Sequence, residues 1–587
     1  GKEFWSYKGR IVFRGDIVKD EYGQYAVFTE QGASASSMAA AKFMDAIARM
    51  PGNDGEDSDA VGAYTQVRLS EAPSLLGQKN IVTETWISLP PHRRPKSWAN
   101  IVDPVCPLEL NLYGHPLAGL LWELHQEKIL TNVGFEKVKS WECLYFHRAK
   151  QLFLSAYVDD YKMAGKKGSI KPMWELLRKE GLDLEPSVSL KSNVYLGCGQ
   201  KEIEPPLALI CQKREMFSRL CHSGGTGKPD ASNIGQLKEA PSSKENTKPN
   251  KKKKKGSSKP QPLELRENSG AQALAQIGQS GVQAFAETGP QDSKKNTSAY
   301  IYEMCGHVEQ TVARYLELSG KSKDSLKQVA TPCIDDHQIP PEEFETKGHL
   351  SSIAARVVLK ALYVARISRM DIMWAVNALA REVTRWNAAC DRRLHRLISY
   401  MHHSQDHVQT CFVGDPPSKC WLTLFSDASF AGDLRDSKST SGGLLCLVGP
   451  NTYVPISWIC KKQGAVSHST AEAEVISLDA GVRLEGIPAL LLWELVIDVF
   501  EPSKDPLIQK PFGVEELLAM RRQLHNAFES LDYVPPSLPK SSGLGKLYTL
   551  EDNDAVIKMT IKGRSPNLRH VGRTHRVDLD WLFERIR

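Results

Sequence analysis

Residues 223–297 constrain this chain more than any other stretch. They include "SGGTGKPDASN", "PSSKENTKPNKKKKKGSSKPQP" and "IGQSGVQAFAETGPQDSKKN". Sequence so rich in Ser, Gly, Lys and Pro cannot bury enough apolar surface to offset the entropy of ordering it, and it reads as a disordered basic linker. The chain must therefore build its folded parts on either side. At 587 residues it is too long for one hydrophobic core in any case. Within 242–259, eight Lys stand against one Glu. The plain reading is a solvated tether, and the sharper one is a nucleic-acid or nuclear-import patch.

Residues 1–222 alternate apolar strands with helical patterns. "SSIAARVVLKALYVARI" and "MDIMWAVNALAREVTRWNAACDRRLHRLISYMHH" repeat apolar residues every three or four positions, which makes 298–415 a helical segment. From about 416 the pattern turns strand-like, through "WLTLFSD", "SGGLLCLVG" and "VPISWIC", and 500–546 reads as an insertion. The most apolar run, "IPALLLWELVIDVF" (487–500), contains Glu494 and Asp498 and is too short to span a bilayer, so it is expected to be a core helix. No signal peptide opens the chain, and no contact with a membrane is expected. The twelve cysteines have no CxxC spacing, which argues for reduced thiols inside a cell.

"FLSAYVDDYKMAG" (153–165) places Asp159 and Asp160 side by side between two strand-forming runs. That is the pattern of a tight hairpin. Two unpaired carboxylates this close push one pKa upward, and a divalent cation with a preference for oxygen ligands removes the penalty. A lone Asp-Asp pair is most often a solvated turn. Here its context is more specific.

Tyr-Val-Asp-Asp after an apolar strand resembles the catalytic box of reverse transcriptases. "SDAVGAYTQV", with Ala63 and Tyr64 following Asp59 at +4 and +5, resembles the same family's first box. The resemblance implies that Asp59, Asp159 and Asp160 hold two Mg²⁺ ions, and that Tyr64 lies under the sugar of the incoming nucleotide. "YKGRIVFRG" resembles the fingers strand, with Lys8 and Arg10 implied to grip the triphosphate. A solvated strand is the commoner origin of such a basic pair. "VYLGCGQKEI" (194–203) resembles the strand supporting the primer terminus. The order of these pieces is most similar to copia-type long-terminal-repeat retrotransposons. In "LYGHPLAGLLWE" the family's Tyr113 and Gly114 are kept, but Leu117 stands where a nucleotide-contacting Gln is expected.

A second set of acids resembles the same family's ribonuclease H. "LFSDASFAGDLRDSKSTSGGLLCLVG" carries Asp427, "AVSHSTAEAEVISL" carries Glu474, "LEDNDAVI" carries Asp552 and "RTHRVDLDWLF" carries Asp578. Glu472 competes with Glu474. At about 100° per residue the two point to nearly opposite sides of a helix, and periodicity does not choose between them. Alignment with the family selects Glu474. Asp433, Asp436 and Asp554 are expected in solvated turns.

The resemblance implies an α+β, multidomain chain: a right-hand polymerase followed by a ribonuclease H-like mixed-sheet domain. Fingers and palm would occupy 1–222, a helical thumb or connection 298–415, and the nuclease 416–587. Its implied ligands are two Mg²⁺ per site, or Mn²⁺ in their place, with dNTPs, an RNA template, a DNA primer and an RNA–DNA hybrid. Its implied location is a cytoplasmic particle and/or the nucleus. The start inside the fingers, with no protease or integrase box, resembles the C-terminal portion of a Pol polyprotein or a truncated genomic copy. The rival reading is a catalytically inactive relic, or a domesticated protein that binds nucleic acid without chemistry.

Overall fold

The computed structural model describes residues 11–19, 35–77, 84–221, 297–433, 435–502, 543–563, 568 and 570–586. Lys8, Arg10, nearly all of the 223–297 linker and most of the 500–546 insertion lie outside the described residues. Of the expected fingers strand only residues 11–15 are described, and they are irregular chain leading into a short 3-10 helix that starts at Gly15, rather than strand. Phe13 donates its N–H to the Tyr113 carbonyl at 2.7 Å.

The fold is α+β. The described residues include sixteen strands, numbered in chain order. They are β1 (Asn53–Asp59), β2 (Trp86–Ile87), β3 (Cys106–Pro107), β4 (Glu136–Lys137), β5 (Leu144–His147), β6 (Leu152–Tyr157), β7 (Asp160–Lys166) and β8 (Val188–Ser189). There follow β9 (Ser192–Tyr195), β10 (Cys198–Ile203), β11 (Ser298–Glu303), β12 (Gln409–Val413), β13 (Trp421–Ser429), β14 (Thr440–Gly449), β15 (Thr452–Lys462) and β16 (Leu547–Leu550). Six form a sheet in the order β4-β5-β6-β7-β1-β8, eight a second in the order β16-β13-β14-β15-β12-β11-β10-β9, and β2 and β3 a short ribbon.

The second sheet crosses the boundaries expected from sequence. The 298–415 segment is indeed rich in helix, but its end strands β11 and β12 join β10 to β15. Strands from before the linker and strands from the C-terminal part therefore share one hydrogen-bonded ladder. The reason is local: "SAYIYE" and "QTCFV" are short, largely buried runs, too short for a stable helix and rich in strand-forming residues.

The helix Met38–Ala48 sits where the two sheets meet, in contact with β1, β6 and β7 on one side and β15 on the other. Ser37 caps it, accepting the Ala40 N–H at 3.2 Å. Every residue from Ala40 to Ala48 is buried, including Lys42 and Asp45. Asp45 accepts from Lys162 Nζ at 2.7 Å, Gln200 Nε2 at 2.9 Å and the Tyr302 hydroxyl at 2.7 Å. Lys42 Nζ lies 3.9 Å from the Trp458 ring centroid. One buried helix thus ties β7, β10, β11 and β15 together. The run Ile487–Phe500 is a helix buried along one side, as its composition led us to expect, with Trp493 stacked on Phe43 at 6.0 Å. No helix among the described residues is long and apolar enough to cross a membrane.

Candidate functional site

Strands β6 and β7 form the expected hairpin, with Tyr157 opposite Asp160 and Val158-Asp159 as its two-residue turn. Val158 has φ +59°, a left-handed conformation that a β-branched side chain adopts only under strain. Trp122 Nε1 pins the turn through the Val158 carbonyl at 2.7 Å. Replacing Val158 with Gly is expected to raise stability by about 1 kcal/mol, strain relief exceeding the added chain entropy. A urea midpoint that falls would show that the packing of the Val158 side chain outweighs the strain.

The hairpin alone does not make a site. The antiparallel β1–β7 register supplies the third acid by setting Asp59 directly opposite Asp160. Ala60 N–H bonds to the Asp159 carbonyl at 2.7 Å, which holds the end of β1 against the turn. Burial, followed by the charges of Asp59 and Asp159, pushes the Asp160 carboxyl up to about 7, and its side chain shares a hydrogen bond with Asp59. Tyr64 and Tyr113 pack against each other with ring centroids 4.6 Å apart and ring planes tilted by 56°. Gly114 has φ +88°, and a Cβ there would meet the Phe13 carbonyl oxygen at 2.2 Å, so this position excludes a side chain. Leu117 packs against the apolar core beneath. "VYLGCGQKEI" falls on the β9–β10 hairpin, whose turn residues Leu196 and Gly197 both have positive φ.

In the C-terminal part, β13 and β16 run parallel, with Phe425 opposite Leu550. Two residues further along each chain stand Asp427 and Asp552. The helix Thr470–Gly481 is capped by Ser469, which accepts the Glu472 N–H at 3.2 Å. Ser477 fixes its rotation by donating to the Asp427 carbonyl at 2.7 Å and the Gly442 carbonyl at 3.0 Å. Glu474, in the turn before Ser477, then reaches the strand ends. Ligand oxygens of Asp427, Glu474 and Asp552 all lie within 4.8 Å of one another, the one such group among the described residues. Asp59, Asp159 and Asp160 are a looser set.

Glu474 is only 4% exposed. It takes a backbone hydrogen bond from Ala428, yet its Oε2 is shielded from water with no donor. Burial, then the charges of Glu551, Asp427 and Asp552, raise its carboxyl to about 8. An orphaned buried oxygen inside an all-carboxylate donor set fits a hard divalent cation.

Glu472 is fully buried elsewhere. It accepts from the His468 N–H at 2.8 Å, and its Oε1 lies 3.0 Å from His575 Nε2 and 3.2 Å from His570 Nε2. Tertiary contacts thus separate the two glutamates that periodicity could not. Asp578 is not brought into the close group. Its Oδ1 accepts the Trp581 N–H at 3.0 Å, where it begins the C-terminal helix, and the acid it faces is Asp479. Of the acids expected in solvated turns, Asp433 and Asp436 pair with Lys462 at 2.5 and 2.8 Å, and exposed Asp554 opens a helix. Sequence reasoning passed over Glu551. Its signal was adjacency to Asp552, the same signal that singled out Asp159 and Asp160.

By fold and site this is an α+β chain with two separate centres rich in acids. No protein-family model matches it. It is 33% identical over 191 residues to the retrovirus-related Pol polyprotein from transposon RE2 of Arabidopsis thaliana, across 30% of this chain and 12% of that protein. It is 32% identical over 148 residues to the corresponding polyprotein from transposon RE1 of the same plant, across 25% of this chain and 10% of that protein. It is also 31% identical over 140 residues to secreted RxLR effector protein 161 of Plasmopara viticola, across 23% of this chain and 87% of that protein. The first two matches, with a further one at 28% identity, are to retrovirus-related Pol polyproteins from transposons, each over only part of this chain. The matches span about a tenth of the length of the polyproteins.

Proposed function

We propose that the chain is an RNA-directed DNA polymerase joined to a ribonuclease H. The observation that carries this reading is the convergence of acids from distant segments in both halves: Asp59 opposite Asp160, and Asp427 with Glu474 and Asp552. In this reading the β6–β7 hairpin with β1 is the polymerase centre. Asp59, Asp159 and Asp160 would hold two Mg²⁺ there, and Asp427, Glu474 and Asp552 would hold Mg²⁺ at the nuclease centre. Mg²⁺, when bound, activates a hydroxyl or water and neutralises phosphate charge.

The protein's own groups supply placement. The tilted Tyr64–Tyr113 pair beside a glycine forms an aromatic corner suited to packing against a nucleoside sugar. Gly114 lets the backbone approach closely. The β9–β10 hairpin, joined to the eight-stranded sheet, is suited to holding a primer end. Hybrid recognition would proceed through backbone charge and shape, so binding should weaken steeply with salt. RNA template, DNA primer, hybrid and dNTPs are the partners of this reading, and a cytoplasmic particle or the nucleus its setting.

The test is primer extension on an RNA template with Mg²⁺, run beside hybrid cleavage. Asp159→Asn should abolish extension and leave cleavage. Asp427→Asn should do the reverse, each loss being at least a thousandfold. If neither variant differs from the unaltered chain, the enzyme reading fails. The rival, nucleic-acid binding without chemistry, would then stand, and Leu117 in place of the expected glutamine is the residue that favours it.

A further inference from the structure

We propose that His307 and Tyr363, from the helical segment after the linker, are positioning residues of the N-terminal acid centre, acting through the turn of the β9–β10 hairpin. The proposal rests on the polymerase reading and adds to it the part of the chain that fixes where the hairpin stands.

The turn is Leu196-Gly197, closed by the Tyr195–Cys198 pair. Leu196 has φ +49° and Gly197 φ +73°, the left-handed pair that a tight two-residue turn demands and that a leucine adopts at a cost. Side chains from far along the chain take both carbonyls of this turn. His307 Nε2 donates to the Gly197 carbonyl at 3.0 Å, and the Tyr363 hydroxyl donates to the Leu196 carbonyl. The two rings meet edge to face, with centroids 5.6 Å apart. A Cβ at Gly197 would lie 2.9 Å from His307 Nε2, so the clamp closes on bare backbone. His307 stands on the helix Cys305–Ser319 and Tyr363 on the helix Ala354–Ile367, which pack against each other. Trp458 Nε1 braces the second of these on β15 by donating to the Ala365 carbonyl at 3.0 Å.

The root of the hairpin is tied to the strands that carry the acids. Asn193 Nδ2 donates to Asp57 Oδ2 at 2.6 Å, and Asp57 precedes Asp59 by two residues on β1. Tyr195 lies against Lys162, whose Nζ is 3.9 Å from its ring centroid, and Lys162 follows Asp160 by two residues on β7. Just before β9, the Leu190 N–H bonds to the Gly55 carbonyl at 3.1 Å. The hairpin is thus held by β1 and β7 at its root and by two distant helices at its tip. Water could satisfy the carbonyls of a surface turn, and holding two aromatic side chains there costs entropy. What the clamp adds is a fixed tip. Placement matters beside a reacting group, where an error of about 1 Å can cost roughly a hundredfold in rate.

The experiment is primer extension by the full chain, with kcat and the nucleotide KM measured separately and hybrid cleavage run alongside. Tyr363→Phe removes only a hydroxyl, and His307→Leu removes the ring donor. Each is expected to lower kcat for extension about tenfold, with nucleotide KM and hybrid cleavage within about twofold of the parent. His307→Gln keeps an N–H donor at similar reach and is expected to recover most of that loss. Hydrogen exchange over residues 193–199 should quicken in Tyr363→Phe and His307→Leu. Thermal unfolding checks that each variant is folded. Folded variants that extend at the parent's kcat, a loss confined to nucleotide KM, equal losses of extension and cleavage, or unchanged exchange would each overturn the clamp and leave the polymerase reading in place. A parent chain that extends no primer would instead sink that reading, and the clamp with it.

Discussion

A chain ending at Asp415 is expected to accumulate as insoluble protein, although it keeps the hairpin, Asp59 and most of the six-stranded sheet's surroundings. The cut removes what covers the N-terminal half. Phe43 loses Trp493 and Phe153 loses Phe500, each at ring centroids 6.0 Å apart. Trp141 loses the Pro488 carbonyl at 3.1 Å, and Arg148 loses Asp498 at 2.5 Å. The ladder between β12 and β15 also opens. Re-exposing a large apolar side chain costs roughly 1.5–3 kcal/mol. Several together approach the whole stability of a typical domain, about 5–15 kcal/mol. The freed edge, "QTCFV", is an apolar template for pairing with other chains. The measurement is the soluble fraction and dye binding of residues 1–415 against the full chain. A soluble, monomeric product with a sharp unfolding transition would refute the shared core.

The second large effect is expected at the buried helix Met38–Ala48. Asp45→Ala leaves Lys162 fully buried without its carboxylate, and breaking a buried pair in this way costs roughly 3–5 kcal/mol. Lys42→Met should have the opposite sign. Lys42 Nζ is buried with no hydrogen-bond acceptor among the described residues, and it lies over the faces of Trp458 and Tyr302. Burial drives its ammonium from 10.5 down to about 8. Between those values the unfolded chain binds more protons than the folded one, so stability rises with pH across that window. The penalty is present in full below about 8 and fades towards 10.5. Methionine removes it, for a gain on the order of 2–3 kcal/mol at neutral pH, and flattens the rise. Urea midpoints at pH 7 and pH 10 for parent, Lys42→Met and Asp45→Ala check both signs. A Lys42→Met variant weaker than its parent at pH 7 would mean that the two ring contacts outweigh the cost of burying the charge.

Some features were readable before any coordinates. The Tyr-Val-Asp-Asp hairpin follows from strand formers on each side of a short polar turn. The helix Thr470–Gly481 follows from Ser469 before a helix-forming run, and Ile487–Phe500 from its apolar length. These features depend on neighbours along the chain, so the chain spells them out. The segment 298–415 was only partly legible, because its many helical residues hid two short end strands that need partners from elsewhere to be stable.

The sequence by itself determined which local units exist and which acids stand at their ends. Strand register, helix rotation and burial decided the rest. They set Asp59 against Asp160 across a hundred residues, gave Glu474 to the strand ends and Glu472 to two histidines, and left Asp578 at a helix start. The reason is geometric. A side chain's neighbours along the chain fix the backbone beneath it, but its direction and its charge environment are set by whatever packs against that backbone from far away.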